Sequence, residues 1–184
     1  ASKGLYLLPN LFTTSALFAG FYAISGAINE HFEIAVIAIF IAMVLDGLDG
    51  RVARMTNTQS DFGAQYDSLA DLVSFGIAPA AVAYSWGLSS LGKFGWMVAF
   101  VYATCGALRL ARFNVQHGTA DKRYFQGLAS PAAAALVAGY IWLMEDYQLN
   151  STAAIVGLLL VTLSAGLLMV SDIRYHSFKE LNFT

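Results

Sequence analysis

Four aspartates fall in two close pairs. Asp46 and Asp49 sit near the end of one long apolar run, and Asp67 and Asp71 near the start of the next. An ionised side chain in a membrane segment is expensive and is usually kept for function. Asp46 and Asp49 are three positions apart and Asp67 and Asp71 four, so on helices each pair shares a face. The connection TNTQS, residues 56–60, is short and polar, which predicts two helices lying beside each other with all four carboxylates at one depth. Converging negative charges repel strongly at low dielectric, so a cation belongs among them. Hard divalent ions, Mg²⁺ or Mn²⁺, take oxygen ligands. No histidine or cysteine lies in the cluster, which argues against zinc. Four carboxylates can hold two ions with one side chain bridging, an arrangement suited to phosphoryl displacement. The spacing leaves one ion or two open.

Small residues accompany the carboxylates. Gly50 and Ala53 lie three apart on one side of their helix, and Gly63 lies four before Asp67. Their lack of bulk lets a ligand or a neighbouring backbone come close. Arg54 offers paired donors to a phosphate. The alternatives are helix packing alone for the glycines and, for Arg51, a cytosolic or lipid-facing anchor.

The elements that must position these groups are helices. The chain has 184 residues, 58% hydrophobic and 12% charged. About 20 apolar residues cross a bilayer core. Six such segments are expected, at about Leu8–Ala27, Phe32–Ala53, Phe62–Leu88, Phe94–Phe113, Leu128–Glu145 and Ser151–Ser171. The expected fold is therefore an all-α integral membrane protein, a single domain over residues 1–184 built as a bundle of six transmembrane helices. A short interfacial helix is expected before the first crossing, ended or bent at Pro9. No cleavable signal sequence is expected, because the first apolar stretch is long and lacks a small-residue cleavage site after it.

Charge placement sets the expected orientation. With the N-terminus in the cytosol, Lys3, Arg51, Arg54, Arg109, Arg112, Lys122, Arg123, Arg174 and Lys179 all fall at cytosolic ends or loops, and only Lys93 lies outside. Both termini and the aspartates then face the cytosol. The net charge of −2 offers no case for nucleic-acid binding. Cys105 has no partner for a disulfide or a metal site. His31, in an external turn, and the isolated His117 and His176 form no metal site, while Tyr6, Trp86, Trp96 and Trp142 fit interfacial anchors.

The stretch DGLDGRVARMTNTQSDFGAQYDSLAD, Asp46 to Asp71, resembles the signature of the CDP-alcohol phosphatidyltransferase family. Every fixed position of that signature is present: Asp46, Asp49, Gly50, Ala53, Arg54, Gly63, Asp67 and Asp71. The resemblance implies a six-helix membrane core that transfers a phosphatidyl group from a CDP-linked donor to a hydroxyl and expels CMP. It implies that Asp46, Asp49 and Asp67 hold the metal ions, with Asp71 a ligand in part and the base for the attacking hydroxyl. Asp49, Gly50, Ala53, Arg54 and Gly63 would line the cytidine and diphosphate pocket. A homodimer is also implied. The chemistry is consistent on its own: CMP is a good leaving group, and no ATP-binding GxxxxGK[ST] loop is present.

The acceptor rests on other residues. Arg109 and Arg112 share a face near the same depth, and buried arginines need an anionic partner. That partner could be the carboxylate cluster, the donor's phosphate or a substrate carboxylate. The stretches LPNLFTTSALFAGFYAI, RLARFN, FQGLASPAAAA and LMVSDIRYHSFK resemble the serine-using bacterial and archaeal branch of the family, except that Ala129 stands where a proline is usual. This implies CDP-diacylglycerol and L-serine as substrates, with Arg109, Arg112 and Asn114 candidates for the serine or phosphate pocket. Glycerol 3-phosphate or inositol phosphate would suit the same arginines. A transporter or channel, the rival class, would place acidic groups deeper and on several helices.

Overall fold

The computed structural model describes residues 3–115, 124–171 and 174–176. Among the described residues, six long helices carry the fold. They are α1 (Lys3–Ile28), α2 (Phe32–Thr56), α3 (Asp61–Trp86), α4 (Lys93–Val115), α5 (Ser130–Asp146) and α6 (Thr152–Val170). A two-stranded antiparallel ribbon pairs β1 (Tyr124–Gln126) with β2 (Arg174–His176), in the register Tyr124 to His176. The expected positions of Lys122, Arg123, His117 and Lys179 lie outside the described residues, as do the side chains of Lys3, Tyr6, Arg174 and His176.

The expected six crossings are corrected to four. Among the described residues, only Leu7–Ile28, Asp61–Trp86, Lys93–Val115 and Thr152–Val170 are long and apolar enough to span a membrane. α2 fails on charge, because Glu33, Asp46, Asp49, Arg51 and Arg54 are spread along it and leave no membrane-length stretch free of ionised groups. α5 fails on length, with 17 residues. The separate interfacial helix is also absent among the described residues. α1 runs on through Pro9, whose ring costs one ladder bond without ending the helix.

The surface and the interior reverse the pattern of a soluble protein. Phe18, Phe21, Ile28, Val44, Phe94, Trp96 and Leu160 are exposed, while the core is dominated by Ala23, Ala35, Ala78, Ala133, Ala134 and Ala138. Small residues let helices approach closely where lipid offers no hydrophobic drive to associate. Large apolar groups then face the acyl chains. With four candidate spans, the chain is a multi-pass membrane protein.

The turn between α2 and α3 has a physical cause at each end. Asn57 adopts the left-handed conformation at φ 53°, the Asn57 N–H reaches the Arg54 carbonyl, and the Thr58 N–H reaches the Ala53 carbonyl at 3.0 Å. These paired bonds form a Schellman stop. The Ser60 hydroxyl then accepts from the Gly63 N–H at 3.0 Å and caps α3. α1 packs along α2 and also against α3, whereas α2 and α3 approach each other less closely than either approaches α1. α1 thus packs against both acidic helices, which also touch each other directly along the later part of α3.

Elsewhere, Gly127 at φ 80° makes the lead-in turn to α5, with Pro131 in the first helical turn. Ala129 holds φ −64° and ψ 144°, the backbone a proline would take, so its place in that turn is kept. At the far end of the bundle, the Trp86 indole N–H donates to Glu145 at 2.6 Å.

Candidate active site

α2 delivers Asp46 and Asp49, and α3 delivers Asp67. One carboxylate oxygen from each lies within 4.8 Å of the others. Asp49 is buried, and Asp46 and Asp67 are half-buried. At an effective dielectric of about 20, each like-charged pair at such a separation repels by about 3–4 kcal/mol. A bound cation removes that cost. Ligand oxygens sit about 2.1 Å from a Mg²⁺ ion, so the three carboxylates must close in together to share one. The donor set is all oxygen, which suits Mg²⁺ or Mn²⁺.

Asp71 lies outside this trio, although its carboxyl interacts with that of Asp46. It is half-buried one turn beyond Asp67, on the same face of α3. The structure therefore brings three of the four expected ligands together and sets the fourth beside them.

The residues of the expected donor pocket lie on the same two helices as the trio, Gly50, Ala53 and Arg54 on α2 and Gly63 on α3. A Cβ on Gly50 would meet no neighbour nearer than the Arg54 Nη1, at 3.8 Å, so space stands open there. Gly63 is tighter: a Cβ would lie 3.1 Å from the Ser60 Oγ and 3.6 Å from the Asn10 Oδ1. Ala53 is half-buried and Arg54 is exposed.

Three residues of α4 were expected to serve the acceptor. Arg112 sends Nη1 to the Val170 carbonyl at 3.3 Å and Nη2 to the Ser171 carbonyl at 3.2 Å. It thereby occupies orphan carbonyls at the end of α6. Arg109 is half-buried one turn earlier. Asn114 accepts from the Ser68 hydroxyl at 3.1 Å and donates to Gln65 at 3.3 Å, which ties α4 to the helix that carries Asp67.

Other participants were not singled out from sequence. Thr13 of α1 is buried and directs its hydroxyl to Asp49 and to the Pro9 carbonyl. Thr14 and Tyr66 share a hydrogen bond of 2.7 Å. The signal was present as Asn10, Thr13 and Thr14, polar residues at helical spacing inside an apolar run. Next to them opens a groove of roughly 500 Å³ between α1 and α2, lined by Thr14, Ser15, Phe18, Tyr22, Ile41 and Leu45, among others.

A sequence profile of the CDP-alcohol phosphatidyltransferase family matches residues 6–168. The chain belongs to the CDP-alcohol phosphatidyltransferase family. Similar phosphatidyltransferases include a CDP-diacylglycerol–serine O-phosphatidyltransferase of Helicobacter pylori, 42% identical over 97% of this chain and 76% of that protein. An enzyme of the same description from Methanocaldococcus jannaschii is 44% identical over 79% of this chain and 65% of its own length. A third, from Bacillus subtilis, is 35% identical over 94% of this chain and 92% of that protein.

Proposed function

We propose that this phosphatidyltransferase moves the phosphatidyl group of CDP-diacylglycerol to the hydroxyl of L-serine, giving phosphatidylserine and CMP. The observation that carries the chemistry is the meeting of Asp46, Asp49 and Asp67 within 4.8 Å beside the open space at Gly50. Serine as acceptor is supported by the relatives, which share that description across bacteria and an archaeon.

In this reading Asp46, Asp49 and Asp67 hold Mg²⁺ or Mn²⁺, as two ions if Asp71 lends an oxygen. When bound, the cation offsets the negative charge that builds on the departing CMP phosphate. Asp71 accepts the proton of the serine hydroxyl. The serine oxygen bonds to the phosphorus that carries diacylglycerol, and the bond from that phosphorus to the CMP oxygen breaks. CMP leaves with the electron pair. Gly50, Ala53 and Gly63 leave room for cytidine and diphosphate, and Arg54 offers its guanidinium to a phosphate. Arg109 and Asn114 stand on the acceptor side.

The groove between α1 and α2 runs from the level of the aspartates along the bundle, so it suits one acyl chain of the donor. Arg51, Arg54, Arg109 and Arg112 accompany the site, and basic residues collect on the cytosolic side, which supports a site open to the cytosol. Family resemblance supports a homodimer.

The test is CMP release by purified protein with CDP-diacylglycerol and Mn²⁺ or Mg²⁺. L-serine, glycerol 3-phosphate, inositol phosphate and no acceptor are run in parallel. Serine-dependent release with formation of phosphatidylserine is expected. Release that responds only to another acceptor would refute serine while leaving the family chemistry in place.

A further inference from the structure

Asp71 is the last residue of the first α-helical part of α3, and the helix changes type at the next residue. Leu72–Ile77 forms a π-helical segment before α-helix resumes at Ala78. The sequence supplies a cause. Pro79 has no N–H, so the Phe75 carbonyl four residues earlier loses its α-helical donor. A π turn widens the ladder to i+5 bonding, as in the Ala78 N–H reaching the Val73 carbonyl. One inserted residue turns the helix by about 100°. Phe75, Ala78, Val82 and Ala83 can then fill the core while Asp67 and Asp71 face α2.

The segment is braced from two sides. From α1, Gly20 comes so close that a Cβ there would lie 2.8 Å from the Ser74 Cα, and the Ser74 hydroxyl donates to the Ala16 carbonyl at 3.0 Å. From α4, the Tyr102 hydroxyl donates to the Phe75 carbonyl at 2.9 Å. Tyr102 heads the fully buried side chains by volume. Its backbone is fixed in turn by α6, where a Cβ on Gly166 would lie 3.3 Å from the Tyr102 Cα.

The geometry points to Tyr102 as a positioning residue for Asp71. Its hydroxyl fills the carbonyl that Pro79 leaves without an α-helical donor, and so holds the π turn. The half of α3 beyond the turn is locked in the core. Any relaxation of the turn must therefore move the half that carries Asp67 and Asp71. A shift of about 1 Å in a reacting group can slow a reaction about 100-fold. The inference rests on the proposed role of Asp71 as base.

The test is Tyr102→Phe in the full chain, which removes one oxygen and keeps the ring. Turnover and KM for CDP-diacylglycerol are compared with wild type and with Leu158→Val, a buried change in α6 that lowers stability without touching the turn. Tyr102→Phe is expected to lower kcat about 10-fold with KM within about twofold, as expected when a group needed only in the transition state is misplaced. Leu158→Val should keep wild-type kcat below its melting temperature. If Tyr102→Phe yields no folded protein, Ser74→Ala removes the other brace and is read by the same criteria. A kcat within twofold of wild type, a change confined to KM, or an equal loss in Leu158→Val overturns the inference. Absence of serine-dependent CMP release from wild type would instead sink the reaction assigned under the proposed function.

Discussion

The Thr13 hydroxyl of α1 hydrogen-bonds the buried carboxylate of Asp49 on α2. The first span thus acts on the carboxylate trio without contributing a ligand to it. An outer partner of this kind fixes which oxygen a carboxylate presents to a metal, and its loss costs about 10–100-fold in metal affinity or activity.

Thr13→Val keeps the shape and removes the hydroxyl. The Mn²⁺ concentration giving half-maximal CMP release is expected to rise about 10-fold. Thr13→Ser should stay near wild type, since it restores the donor. Both are read by titrating metal at saturating substrates. Equal half-saturation in all three proteins would separate Thr13 from the metal site.

Asp71 lies beside the trio of Asp46, Asp49 and Asp67 rather than within it, which predicts two classes of variant. Asp46→Asn, Asp49→Asn and Asp67→Asn should each lose both turnover and Mn²⁺ binding. Asp71→Asn should lose turnover by about 10²–10⁴-fold, the usual contribution of a general base, while still binding Mn²⁺. Isothermal titration of the detergent-solubilised proteins distinguishes them. Loss of metal binding in Asp71→Asn would make it a full ligand.

The legibility of this arrangement in the sequence follows its physics. The aspartate pairs were readable because costly charges at helical spacing have few structural explanations. The convergence of Asp46, Asp49 and Asp67 followed from the short turn, yet the packing of α1 against both acidic helices did not, because helix order in space leaves no mark in local spacing. The number of spans was overestimated where apolar run length was read without weighing the charges of α2 or the 17 residues of α5. The use of Arg112 at the end of α6 joins residues 58 positions apart and has no local signature. Pro79 was visible, but proline announces a disturbed ladder without saying which side chain repairs it.

The groove beside α1 predicts a dependence on chain length. From Ala38 to Leu45 its α2 wall rises about 10 Å, room for several methylenes worth about 0.8 kcal/mol each when buried. Ile41 lines it and is 49% exposed, so Ile41→Trp should fill the groove without disturbing the core. KM for a dipalmitoyl donor is expected to rise several-fold, with a dihexanoyl donor unaffected. Equal effects on both donors would place the acyl chain elsewhere.

Gly47 and Gly50 lie one turn apart on α2 and separate packing from ligand space. A Cβ on Gly47 would meet nothing within 4 Å, and one on Gly50 only the Arg54 side chain at 3.8 Å. Neither alanine should therefore strain the fold, and each adds helix propensity of up to about 1 kcal/mol. If Gly50 is small because the donor's diphosphate passes over it, Gly50→Ala should raise KM for CDP-diacylglycerol about 10-fold or more, while Gly47→Ala stays near wild type. Melting temperatures of both should match or exceed that of wild type. The diagnostic result is the combination of intact stability and lost donor affinity at Gly50 alone. A Gly50→Ala protein with wild-type KM would show that the space beside the carboxylates is not where the donor binds.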